Sequence, residues 1–198
     1  MEKYTTKENY ITSNPEPEYW RRHTNGKILE FHKDVIQGSV LDFGCNHGAC
    51  SFLLLENEKV KNVLGLDLNC QSLVVANETK SKYFPDKPIE FLCKNILDFK
   101  PQLRFDTIIS FHTLEHIYPE DMDTTLKRLF DSLNYDGHFV VSLPYEHAYD
   151  DGVQHVSFFN ETSLKEVFEK NGFVTIECFK DNRGVDPNIL TGIFKKIR

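Results

Sequence analysis

Short apolar runs alternate along this chain with longer stretches of helical period. SVLDF (39–43), VLGLDL (63–68), IEFLC (89–93), FDTIISF (105–111) and GHFVVSL (137–143) predict strands, and residues 48–57, 70–83 and 121–134 between them predict helices. A further helix over 161–171 starts after Asn160, a good N-cap, and stops at Asn171-Gly172. FVTIECF (173–179) and ILTGIFKKI (189–197) are joined by KDNRGVDPN, rich in turn formers, and predict an antiparallel pair at the sheet edge. Strands alternating with helices indicate an α/β fold: a mostly parallel sheet of seven strands, the last antiparallel, with helices on both faces.

The first 38 residues differ in character. A polar tail runs to about Asn14, Pro15 and Pro17 mark a helix entry, and Trp20, Ile28, Phe31 and Val35 can line one helical face. The chain therefore reads as an N-terminal tail and helix (1–38) leading into one domain (39–198), with no internal repeat and no low-complexity linker.

Composition narrows the setting. With 198 residues and 40% hydrophobic content the chain can form one compact domain that buries roughly 70% of its unfolded surface. No stretch approaches the ~20 apolar residues of a membrane span, and the first residues carry no apolar signal core, so a soluble, cytoplasmic protein is expected. The net charge is −7 and no strong Lys/Arg cluster stands outside the short FKKIR end, which makes nucleic acid an unlikely partner. The five cysteines, Cys45, Cys50, Cys70, Cys93 and Cys178, form no CxxC pair and are expected as reduced packing residues. Cys45 reads as a small buried hydrophobe rather than a nucleophile.

The first strand runs into a turn, VLDFGCNHG (40–48), and then a helix. Such a junction aims backbone N–H groups and a helix N-terminus at whatever lies above the strand's carboxyl end. Gly44 and Gly48 permit close backbone approach, and Asn46 is among the few non-glycine residues that tolerate a left-handed conformation. Asp42 stands near the end of the first strand, Asp67 ends the second and Asp98 follows the third. A strand-end aspartate alone is more often a turn former, but three acids at successive strand ends favour a nucleoside-binding rim. A dinucleotide turn, G-x-G-x-x-G, would need Gly at 46 and Gly or Ala at 49, and only Ala49 complies.

These segments resemble the class I S-adenosylmethionine (SAM)-dependent methyltransferases over residues 39–197. VLDFGCNHG resembles the family's first motif, hhDhGCGxG, and LGLDLN its second. KNILDF resembles the segment flanking the adenine, and FDTIISFHTLEHI the fourth-strand motif beside the substrate. LFDSLNYDGHFVVSLP is similar to the fifth strand with its glycine-rich entry, with Asp136 in place of the first glycine. The resemblance implies a Rossmann-like methyltransferase with SAM as cofactor. Asp42, Gly44, Asn46 and Gly48 would surround its methionine part, Asp67 would bind the ribose hydroxyls, and Asn95, Ile96 and Asp98 would frame the adenine, with Cys45, Leu68 and Phe111 as further cofactor-site residues. Asn46 stands where the family has glycine, adding atoms beside the ligand.

Residues 112–116, HTLEH, formally match the H-x-x-E-H pattern of inverted zinc proteases. That chemistry needs the segment on a helix with a distant third ligand, whereas here it directly follows a strand, so the protease reading is rejected. In the methyltransferase reading the same residues sit at the mouth of the site. His112, Glu115, His116 and His155 form a candidate set for a divalent metal, with His112 replacing the first glutamate of metal-binding relatives. Alternatively, Glu115 and His116 only shape the pocket, or His112 or His116 acts as general base.

SAM is already a strong electrophile, so the protein must chiefly align an acceptor and exclude water. Deprotonation matters more for a hydroxyl than for an amine, and the histidine supply (His112, His116, His147, His155) tilts the reading toward O-methylation. The acceptor wall is expected from Tyr19, Trp20 and Arg22, and from the long loop after the fifth strand with Tyr145, His147, Tyr149 and His155. HVSFFNETSLKEVFEKNGF resembles a run in methyltransferases acting on sugars and other small metabolites, which favours a sugar or sugar nucleotide as acceptor; a monomer or homodimer is expected. The competing readings are a non-catalytic methyltransferase-like binding module and a metal-assisted RNA 2′-O-methyltransferase.

Overall fold

The computed structural model describes residues 17–100, 104–148, 155–181 and 184–198. Seven strands form one sheet: β1 (Gly38–Phe43), β2 (Val60–Asp67), β3 (Ile89–Cys93), β4 (Phe105–Phe111), β5 (Leu133–Pro144), β6 (Phe173–Lys180) and β7 (Ile189–Lys196). The helices are α1 (Pro17–Arg22), α2 (Thr24–Phe31), α3 (Ala49–Leu54), α4 (Cys70–Tyr83), α5 (Pro119–Ser132) and α6 (Glu161–Lys170), with 3-10 turns at Ile96–Asp98 and Leu114–His116. The sheet order is β3-β2-β1-β4-β5-β7-β6, with β7 antiparallel to both its neighbours and the other pairings parallel.

Consecutive residues on a strand face opposite sides, so each central strand feeds two apolar layers. Leu41, Ile108, Phe139 and Val141 join one layer, which holds Leu126 and Leu129 of α5 and Leu164 and Phe168 of α6. Val40, Ile109 and Val140 join the other, with Ile28 of α2 and Phe52 and Leu54 of α3. Within the first layer Phe168 stacks on Phe194 of β7 at 3.9 Å between ring centroids. Among the described residues no helix is long and apolar enough to cross a membrane.

The C-terminal hairpin forms as the sequence predicts, but β7 lies inside the sheet and β6 takes the edge. Burial follows this order: β7 is buried at nearly every position, whereas β6 is mostly exposed or half-buried. The predicted N-terminal helix is two short helices, α1 and α2, that break at His23. The break resets the helical phase: Trp20 and Ile28 stay buried, Phe31 turns outward at 51% exposed, and Leu29 and Ile36 enter the core instead.

The expectation of five reduced cysteines is corrected, because Cys70 and Cys93 form a disulfide. Their separation of 23 residues hides the pairing. Only the parallel β2–β3 pairing brings the start of α4 beside the end of β3. Cys45, Cys50 and Cys178 are free, and Cys45 is buried as expected.

Asp136 adopts φ 64°, a left-handed conformation, at the position where the resembled motif carries glycine. Aspartate and asparagine are the non-glycine residues that enter this region at least cost, so the departure preserves the backbone path.

Candidate functional site

The chain builds β1, β2 and β3 outward in one direction and then crosses back to place β4 on the other side of β1. At that reversal the connections after β1 and β4 run to helices on opposite layers, α3 and α5, the arrangement in which open α/β sheets form a ligand crevice above the strands' carboxyl ends. Three residues of the β1 loop are left-handed: Gly44 (φ 79°), Asn46 (φ 49°) and Gly48 (φ 82°). The amides of Gly44 and Cys45 both donate to the Leu66 carbonyl, at 2.8 and 3.3 Å, which pins the loop to β2. Asn46 therefore takes the backbone conformation expected of it, and its buried Oδ1 has no hydrogen-bond donor among the described residues.

Gly44 also packs directly against Thr113, whose hydroxyl donates to the Phe43 carbonyl at 3.3 Å, and a Cβ there would collide with the Thr113 side chain. Positive φ and lost space act together, so Gly44→Ala should destabilise the fold by about 2–4 kcal/mol. Urea denaturation measures it. A loss below about 0.5 kcal/mol would mean the loop repacks freely.

Asp67 closes β2 directly beside this loop. Its Oδ2 accepts the Asn46 amide at 2.7 Å and its Oδ1 the Asn69 amide at 2.8 Å. Burial raises its pKa, opposed by these backbone hydrogen bonds and by the neighbouring His47. Asn69 also caps α4, its side chain accepting the amides of Gln71 and Ser72.

Asp42 is 2% exposed and accepts the Ser51 hydroxyl at 2.5 Å. Burial pushes its pKa up to about 7; the Ser51 hydrogen bond pulls it down and the charge of Asp67 adds to the rise. The folded pKa lies above the unfolded one of about 4, so the native state binds more protons between those values. Stability contributed by this group is thus lost as pH rises from about 4 to 7 and stays lower above that. Asp42→Asn should raise stability at pH 8 by about 1–3 kcal/mol and change little near pH 4. Denaturation at the two pH values checks this, and equal gains at both would contradict the assignment.

The remaining cofactor candidates line the two sides unevenly. Leu68 is 40% exposed at the rim, Asn95 caps the Ile96–Asp98 turn by accepting the Leu97 amide at 2.9 Å, and Ile96 is buried. Asp98 is exposed. Cys45 and Phe111 are buried, Cys45 against Leu73 and Ala76 of α4 and Phe111 in the apolar layer beneath α3.

At the end of β4, His112 is left-handed (φ 54°) and its amide donates to the Ser142 carbonyl at 2.8 Å. Glu115 and His116 sit on the Leu114–His116 turn, which is 3-10 and directly follows a strand, so the protease geometry is absent. Glu115 is 2% exposed, yet neither carboxylate oxygen has a hydrogen-bond donor among the described residues. His112 Nδ1 lies 3.4 Å from Glu115 Oε1.

The segment after the β5 loop crosses this turn. The amides of Val156 and Ser157 donate to the Glu115 carbonyl at 2.8 and 3.1 Å, and the Ser157 hydroxyl donates to the Ile117 carbonyl at 2.6 Å. His155 is thereby laid against His116, with ring centroids 5.1 Å apart. One ligand atom each from Glu115, His116 and His155 falls within 4.8 Å of the others. An oxygen and two imidazole nitrogens form a donor set suited to a divalent ion such as zinc or manganese, and the donor-less carboxylate fits a cation.

Other acceptor-side candidates are dispersed. Trp20 is buried and stacked on Phe52 at 5.6 Å, a packing position. Arg22 is exposed. Lys180 stands 4.2 Å over the Tyr145 ring, and His147 packs on Phe158 at 4.3 Å, exposed. The Tyr19 side chain and Tyr149 lie outside the described residues. Sequence reasoning missed Ser51, Asn69 and Ser157. The cap position of Asn69 and the H-x-S spacing of Ser157 were signals for two of them, whereas nothing marks Ser51.

A sheet reversed at β1/β4, a glycine turn and a strand-end acid define a nucleoside-cofactor-binding α/β domain. Residues 18–178 match the family described as "Methyltransferase domain". The chain belongs to that family of class I SAM-dependent methyltransferases, with SAM as its cofactor. It is 33% identical over 106 residues to carboxy-S-adenosyl-L-methionine synthase from Actinobacillus succinogenes, covering 52% of this chain and 43% of that protein. It is 37% identical over 91 residues to the mitochondrial ubiquinone biosynthesis O-methyltransferase of Saccharomyces cerevisiae, covering 46% and 28%. The N-methyltransferase NodS from Bradyrhizobium japonicum, in complex with S-adenosyl-L-homocysteine (SAH), has the same fold: TM-score 0.74, 18% identity, and 100% and 95% of the two chains covered. The chain spans about half the length of the curated relatives it matches first.

Proposed function

We propose that this domain transfers the methyl group of SAM to a hydroxyl oxygen of a small polyhydroxylated acceptor, a sugar or sugar nucleotide. The observation that carries the reading is Glu115, a buried carboxylate with no hydrogen-bond donor among the described residues, ringed by His112, His116 and His155 at the end of β4. An amine attacks a sulfonium unaided once neutral, whereas a hydroxyl must lose a proton as the new bond forms. The cluster supplies imidazoles to take that proton and a carboxylate to hold the resulting imidazolium. A divalent ion bound by Glu115, His116 and His155 would supply Lewis acidity, favouring the alkoxide form of an acceptor hydroxyl. The chain's own part is to grip the ribose with Asp67, orient the acceptor and keep water away from the methyl.

The relatives named for carboxy-SAM synthesis suggest a different product. The acids Asp42, Asp67 and Glu115 around the crevice disfavour holding an added carboxylate, which supports methyl transfer. Methyl-labelled SAM incubated with a panel of sugars, sugar nucleotides and amines separates these readings by mass spectrometry. O-methylated product is expected. Label found only on amines would overturn the proposal.

A further inference from the structure

The Cys70–Cys93 disulfide ties the start of α4 to the end of β3, beside the strand end that carries Asp67. Cys70 opens α4 immediately after Asn69, the residue whose amide donates to Asp67. Cys93 ends β3 and pairs in register with Asp67 of β2, and the Lys94 amide that follows it donates to the Asp67 carbonyl at 2.9 Å. Cys93 Sγ lies 3.6 Å from the Leu68 carbonyl oxygen. The bridge therefore flanks Asp67 in space: the turn Asp67–Leu68–Asn69 leads into Cys70 on one arm, and the Cys93–Asn95 segment lies beside Asp67 on the other.

Both bridged residues are exposed, whereas Cys45 is buried and Cys50 and Cys178 are half-buried. A small thiol can thus reach this bridge from solvent.

We propose that Cys70–Cys93 is a thiol–disulfide switch on cofactor affinity, the bridged form binding SAM and its product tightly and the reduced form weakly. Two molecules of a low-molecular-weight thiol carry out the reduction. The first thiolate attacks one sulfur to give a mixed disulfide and release one cysteine thiolate; the second displaces the other cysteine and leaves as the small-molecule disulfide. Two electrons and two protons pass to the protein, which then holds two thiols. Without the cross-link, the turn that aims Asp67 and Asn69 is held to the edge strand β3 by hydrogen bonds alone, with no covalent tie between the start of α4 and the end of β3. Ordering it then weighs against binding, the usual penalty of lost preorganisation.

The inference rests on Asp67 as the ribose-binding acid and not on the acceptor, so it is read by binding rather than turnover. SAH is titrated calorimetrically into the full chain, oxidised and then reduced with dithiothreitol, with thiol labelling to count free cysteines. The expected result is a Kd about fivefold weaker after reduction, restored on reoxidation. Cys93→Ser should show the weak affinity in both conditions, and Cys178→Ser should keep the full response. Equal affinity in wild-type protein shown by labelling to be bridged and then reduced overturns the switch alone. Labelling of Cys70 and Cys93 in protein kept oxidised also overturns it. Absence of SAH binding in both states overturns the crevice assignment instead. The wild-type comparison stands even if Cys93→Ser fails to fold.

Discussion

Replacing Asp67 by alanine is expected to weaken SAM and SAH binding at least tenfold, about 1.4 kcal/mol or more. The carboxylate lies between two elements that it also organises. Its oxygens accept backbone amides, from Asn46 on the β1 loop and from Leu68 and Asn69 before α4. A carboxylate oxygen has capacity for a second donor, so a ribose diol can add a hydrogen bond without displacing the loop. Hydrogen bonds to a charged group contribute roughly 1.5–3 kcal/mol apiece, so losing even one covers the predicted effect. Asp67→Asn separates charge from geometry: its amide group must point a donor at either the Asn46 or the Asn69 N–H, so affinity should fall here too. Titration calorimetry with SAH reads both variants, and circular dichroism confirms that they fold. Affinity within twofold of wild type in a folded Asp67→Ala chain would remove the ribose contact from this account.

Glu115→Gln carries the second large effect. A buried carboxylate without donors is costly unless a cation sits beside it. Glutamine keeps the shape and removes the charge, so the ion-free chain should gain roughly 1 kcal/mol or more in stability while methyl transfer falls about 100-fold or more. Affinity for manganese or zinc, measured by calorimetry on protein stripped with a chelator, should fall at least tenfold. Stability up with activity and ion affinity down marks a residue kept for chemistry at a cost to the fold. Stability down with activity unchanged would assign Glu115 to packing. If only ion affinity is unaffected, the histidines act on the acceptor proton without a metal.

The regular elements were readable because burial leaves a period along the chain. Each strand from β1 to β5 appears as an apolar run, and Asn160 and Asn171-Gly172 bracket α6 to within a residue. The two departures from glycine, Asn46 and Asp136, were interpretable locally as well: both are residue types that tolerate positive φ, and both adopt it. Acids at strand ends, the glycine turn and HTLEH were likewise visible as a one-dimensional pattern.

What the pattern could not carry is which distant segments meet. A hairpin signal between residues 173 and 197 is local, but the insertion of β7 beside β5 is decided by which strand covers more apolar surface. The Cys70–Cys93 bridge depends on β2 and β3 pairing in register, information absent from a spacing of 23 residues. His155 joins His116 because the Val156 and Ser157 amides find the Glu115 carbonyl, forty residues away in the chain and adjacent in space. Trp20, expected at the acceptor, is drawn instead onto Phe52 by the gain from burying two stacked rings. Local periodicity and turn chemistry are written residue by residue and so were determined by the sequence itself. The partners across the crevice depend on competition among all buried surfaces at once, and only the tertiary structure decided them.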